Sequence, residues 1–101
     1  MKINVETPNF AADVKLIDFL KRKLEKLEVF YDRIIYVDAF LKVQQTSEKE
    51  NKIVEVLLKV PGDDLVVKKQ ARTFEQGVDE CVQALERQLK KRKEKLRAKA
   101  S

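Results

Sequence analysis

Between Ile34 and Ala71 lie three segments of alternating or β-branched apolar residues, flanked on both sides by apolar residues spaced for a helix. That order leaves few ways to close a core. Ile34 to Val43 reads as one strand, Ile53 to Val60 as the next and Leu65 to Ala71 as the last, with Lys68-Lys69 weakening its pattern. In the middle strand Val54, Val56, Leu58 and Val60 share one face. The polar stretch Gln44–Lys52 is a hairpin loop, and Pro61-Gly62-Asp63-Asp64 is a turn. Upstream, residues 1 to 6 alternate around Ile3 and Val5, as a short first strand does.

Helical spacing frames these strands. Asp13 suits an N-cap for a helix from about Val14 to Phe30. Leu16, Leu20, Leu24 and Leu27 fall on one face of it, flanked by Ile17 and Phe19. Lys15, Arg22 and Lys26 project to the far side, while Lys23 lies at the edge of the apolar stripe. Thr73-Phe-Glu-Gln76 fits a capping box for a final helix from about Phe74 to Arg97. Its stripe is Phe74, Val78, Cys81, Val82, Leu85, Leu89 and Leu96, interrupted by Arg92, so its last turns are expected to project beyond the core.

The expected fold is α+β, in the order β-α-β-β-β-α: a four-stranded sheet with two helices packed on one face. The crossover through the first helix makes the first two strands parallel, and the next three form an antiparallel meander. The 101 residues read as one domain, with 97–101 a frayed tail.

Charge narrows the function. From Arg87 to Lys99 there are eight Lys or Arg and one acid, Glu94, which is +7 in thirteen residues. The whole chain is +5, so the remainder sums to −2. Concentrated positive charge points to a polyanion. An ordinary solvated helix would interleave acids four residues from its bases, and here one acid interrupts. Arg87 and Lys91 project opposite the apolar stripe, with Lys90 on one flank and Lys95 on the other. If both helices cover one sheet face, their cations form a continuous patch suited to folded RNA. No aromatic residue stands among these cations for base stacking.

Other chemistry is poorly supplied. The chain has no histidine, one cysteine and two glycines, which removes the usual general base, a Cys-based zinc site and a glycine-rich phosphate loop. Cys81 on the apolar stripe reads as a small hydrophobe, and Asp63-Asp64 as turn residues. We expect no enzyme, no catalytic residue, no metal and no cofactor. With no export signal, no apolar run long enough to span a bilayer and no disulfide, a cytoplasmic protein is expected.

Four stretches then carry a resemblance. Leu24-Glu-Lys-Leu-Glu-Val-Phe-Tyr-Asp-Arg-Ile34, the Pro-Gly turn, Thr73-Phe-Glu-Gln-Gly-Val-Asp79 and Leu85-Glu-Arg-Gln-Leu-Lys-Lys-Arg-Lys-Glu-Lys-Leu96 resemble the ribosome hibernation promoting factor and ribosome-associated inhibitor family. The resemblance implies a fold similar to a double-stranded-RNA-binding domain. It implies a stress and stationary-phase role: binding small-subunit rRNA between head and body, near the A and P sites, and reversibly blocking translation by occluding tRNA and mRNA. It places rRNA contacts on Lys23, Lys26, Arg87, Lys90, Lys91, Lys93 and Lys95; Arg22 joins them from the helical projection. The partner is then the small ribosomal subunit, with no membrane and no small-molecule substrate, and the free protein is a monomer. Thr73-Phe74-Glu75 and Gly62-Asp63 depart from the Asp-Met-Tyr and Gly-Gly that many relatives carry. Ending at Ser101, the chain is most similar to the short form, without a dimerisation domain. A general double-stranded-RNA-binding module is the competing reading.

Overall fold

In the computed structural model the backbone is described for residues 1–100 and side chains through Leu96; the expected frayed tail at 97–101 lies outside the described side chains. The element order is β1 (Lys2–Glu6), α1 (Val14–Glu25), a 3-10 turn (Lys26–Val29), β2 (Tyr36–Val43), β3 (Lys52–Val60), β4 (Asp63–Ala71) and α2 (Phe74–Ala100). The strands lie in the order β1-β2-β3-β4, with β1 parallel to β2 and the other pairs antiparallel. This is the expected α+β topology, with both helices on one face of the sheet.

Alternation decides which face they cover. Val37, Ala39 and Leu41 of β2 stand opposite Leu58, Val56 and Val54 of β3, and all six are buried. They meet Leu20, Leu24 and Leu27 from the first helical segment and Val78, Cys81, Val82, Leu85 and Leu89 from α2 in one core. No charged or polar side chain is buried among the described residues. The opposite face, with Tyr36, Phe40, Leu57 and Val66, carries no helix and is partly open.

Local chemistry sets the element ends. Asp13 caps α1, its Oδ1 accepting from Lys15 N–H at 3.0 Å. Thr73 caps α2, its Oγ1 accepting from Gln76 N–H at 3.1 Å; the return bond from the Gln76 side chain is absent among the described residues, so half the box is made. Asn9 pins the loop after β1, donating to the Val43 carbonyl at 2.6 Å and accepting from the Val43 N–H at 3.0 Å.

Several boundaries differ from the sequence reading: β3 starts at Lys52 rather than Ile53, α2 runs to Ala100 rather than about Arg97, and three further differences have clear physical causes. The first helix tightens after Glu25 into the 3-10 turn, where Phe30 N–H bonds Leu27 O at 3.0 Å. Terminal carbonyls without i+4 partners favour such tightening. β2 starts at Tyr36 rather than Ile34, although Ile35 N–H still reaches Lys59 O at 2.8 Å. Asp63 and Asp64 are strand residues, paired with Val60 and Lys59, so Pro61 and Gly62 alone make the turn. Gly62 takes φ 77°, the conformation a glycine supplies after a proline in a type II turn. Asp64 accepts a 3.0 Å contact from Lys59, and this hydrogen-bonded carboxylate raises the lysine pKa.

α2 lies close against the sheet at Gly77. A Cβ there would lie 2.7 Å from Val54 Cγ2, inside contact distance of a stiff, fully buried β-branched side chain. Gly77→Ala should therefore destabilise by about 1–3 kcal/mol, although alanine is the better helix former. A urea titration reads this directly, and a gain in stability would mean the approach is loose.

Candidate nucleic-acid interface

The two helices run in the same direction, because each returns antiparallel to the strand before it. Contacts between them advance together along both. Phe10 stacks on Phe74 at 4.8 Å, Lys23 Nζ meets Asp79 Oδ1 at 3.3 Å, and Lys90 Nζ lies 5.3 Å from the Phe30 ring centroid. The side-by-side docking that the charge argument required is therefore present.

Seven of the eight sequence-derived cations are exposed: Arg22, Lys26, Arg87, Lys90, Lys91, Lys93 and Lys95. None of these seven is in an ion pair among the described residues. Lys23 differs. Its side chain is one-third exposed, bonded to Asp79 and 5.4 Å from the Phe19 ring centroid, so part of its charge is spent joining the helices.

The cations gather in two places. Arg22, Lys23 and Lys26 line a concavity together with Phe19, so folding does bring an aromatic ring among these cations, contrary to the sequence expectation. Lys93 lines an open depression of about 630 Å³ with Phe30, Tyr31, Arg33 and Leu96, and Lys90 reaches the same Phe30. Arg87 and Lys91 occupy the outer face of α2. Lys95 sits three residues beyond Arg92 and shares that flank, turned away from α1.

Two arginines outside the sequence-derived set stand beside these cations. Arg33 is exposed beside Lys93, and its signal was its place in the aromatic-Asp-Arg exit of the first helix. Arg92 interrupts the apolar stripe of α2. It is a contact residue, reaching Tyr31, Pro61 and Asp63.

The arrangement offers little to a reacting substrate. Cys81 is buried with its Sγ 3.5 Å from the Val54 carbonyl oxygen, and burial pushes the thiol pKa up to about 12. A protonated, enclosed thiol is a poor nucleophile. Among the described residues no cluster of His, Cys, Asp or Glu is placed to hold a metal ion, and no helix is long and apolar enough to cross a membrane.

The fold and its charge place the chain among small α+β domains with two parallel helices on one face of a four-stranded sheet. Residues 3–97 match the family described as Sigma 54 modulation protein / S30EA ribosomal protein, and the chain belongs to that family. It is 33% identical over 97 residues to the ribosome hibernation promoting factor of Klebsiella oxytoca, covering 96% of this chain and 98% of that one. It is 30% identical over 95 residues to the protein of the same name from Pseudomonas putida, covering 94% and 89%. Its fold is similar to a ribosomal subunit interface protein from Coxiella burnetii, with TM-score 0.81, 24% identity and coverage of 92% and 98%. It is also similar to the N-terminal domain of Thermus thermophilus Protein Y, with TM-score 0.76, 22% identity and coverage of 90% and 98%.

Proposed function

We propose that this chain is a non-enzymatic ribosome hibernation factor of the cytoplasm. It binds small-subunit rRNA near the A and P sites and halts translation by filling space that tRNA and mRNA need. The observation that carries this reading is the pair of codirectional helices presenting Arg22, Lys26, Arg87, Lys90, Lys91 and Lys93, outside any ion pair among the described residues, from one side of the sheet. Such a surface is stiff and carries its charge in a fixed shape, which suits folded RNA phosphates better than a flexible strand. Arg33 joins the patch beside Lys93. Lys23 contributes with the donors its Asp79 contact leaves free. No bond is made or broken, so release needs only dissociation.

Competition tests the reading. Intact small subunits should displace the protein from a random RNA duplex at far lower concentration than a second duplex does. Equal displacement would favour the general duplex-binding module instead. Salt gives an independent measure. With about six phosphates neutralised, log affinity for small subunits should fall against log salt with a slope of roughly −4 to −5. A titration returning a slope near −1 would remove the electrostatic basis of the proposal.

A further inference from the structure

α2 outruns the body of the protein. Leu89 is the last fully buried residue of α2 among the described side chains, and Lys93, Glu94, Lys95 and Leu96 are all exposed. Between these two regions stands Arg92, at a position where the stripe calls for an apolar side chain. Its side chain is 22% exposed, and its guanidinium is engaged on all three nitrogens. Nη2 donates to the Pro61 carbonyl at 2.6 Å, Nη1 to Asp63 Oδ2 at 3.3 Å, and Nε to the Tyr31 hydroxyl at 3.4 Å. Those acceptors belong to two separate segments, the turn end of the β3–β4 hairpin and the exit of the first helix. The planar fork of an arginine can serve such a spread of acceptors, whereas a lysine offers one rotating centre.

We propose that Arg92 is a positioning residue for the cationic ridge: it clamps the overhanging turns of α2 to the β3–β4 turn, so the lysines beyond it meet shaped RNA already aligned. This inference rests on the rRNA-binding reading above. The clamp confers preference for shaped RNA, because an unanchored helix end must be ordered at the moment of binding. A random duplex, which accepts many approach directions, gains little from it.

The clamp and a simple charge effect predict opposite signs for one variant. Asp63→Asn removes a negative charge beside the ridge, so electrostatics alone would tighten RNA binding. Weakening the charged arm of the clamp, with Pro61 and Tyr31 still accepting, should instead weaken small-subunit binding about 3-fold while changing random-duplex binding by less than 2-fold. Arg92→Lys keeps the charge and loses the fork, and should weaken small-subunit binding by a similar factor. Arg92→Gln should lower affinity with the salt slope unchanged, whereas a direct phosphate contact would shift that slope by roughly 0.7–0.9. Wild-type affinity in Arg92→Lys, tighter binding in Asp63→Asn, or a shifted slope in Arg92→Gln would each overturn the proposal.

Amide hydrogen exchange on the free protein separates this idea from the ribosomal reading. Exchange at positions 93–96 should accelerate in Asp63→Asn and Arg92→Lys, with the core amides unchanged. Unaltered exchange there would overturn the clamp. If the wild type itself showed no preference for small subunits, the ribosomal reading would fail, and the exchange result would still decide whether Arg92 anchors the helix. Should an Arg92 variant fail to fold, Asp63→Asn, at a half-exposed surface position, carries both measurements.

Discussion

Arg87→Glu combined with Lys91→Glu should weaken small-subunit binding by about 100-fold or more at physiological salt. Both residues stand on the outer face of α2, exposed and outside any ion pair among the described residues. Each reversal removes an attraction to phosphate and adds a repulsion, so the pair shifts the local charge by four units. Affinity built on several phosphate contacts falls steeply when two are inverted. Folding should be almost untouched, because surface substitutions away from caps and core usually stay within about 0.5 kcal/mol. Sedimentation with small subunits, alongside a thermal melt of the free variant, separates the two effects. Cosedimentation at wild-type levels would mean that the outer face of α2 does not meet rRNA.

The second large effect lies in the core. Leu24→Ala should destabilise the domain by about 2–5 kcal/mol. Leu24 is fully buried, in the cluster where the first helix meets the sheet and α2. Truncation loses the transfer free energy of three carbons and leaves a void that a β-branched sheet surface closes poorly. A domain of this size has roughly 5–15 kcal/mol in total, so the melting temperature should drop by about 10–30 °C. A drop under 5 °C would show that the helices repack freely over the sheet. That result would also weaken the case for a rigid cationic surface.

The sequence was most legible where a single period ran uninterrupted. Val54, Val56, Leu58 and Val60 alternate without exception, and all four are fully buried on one face of β3. The leucines of the first helix were equally clear, and Asp13 and Thr73 marked both helix starts. Boundaries set by hydrogen bonding rather than by side-chain pattern were harder. Nothing in Lys26-Leu-Glu-Val29 distinguishes a 3-10 turn from an α-helical one, because Leu27 is buried in either. Asp63 and Asp64 read as turn residues because aspartate is common in turns, yet a two-residue turn leaves both in the ladder.

The candidate interface was legible to the same depth. A charge run and a helical projection gave the exposed cations. They could not show that Asp79, fifty-six positions away along the chain, meets Lys23, or that Arg92 has partners in two distant segments. Those are long-range contacts, and one strand of residues carries no mark of them.

The shared direction of the helices also bears on how the unbound protein tolerates its crowded cations. Each helix carries its partial negative pole at its carboxyl end. The first helical segment terminates at Phe30, and the Lys90 ammonium lies 5.3 Å from that ring, near the carboxyl end of the neighbouring segment. The amide poles, which would ordinarily cradle a phosphate, lie at the far end beneath their Asp13 and Thr73 caps. Anion attraction along the cationic ridge therefore rests on side-chain charge, and neutralising individual lysines by acylation would subtract from it stepwise.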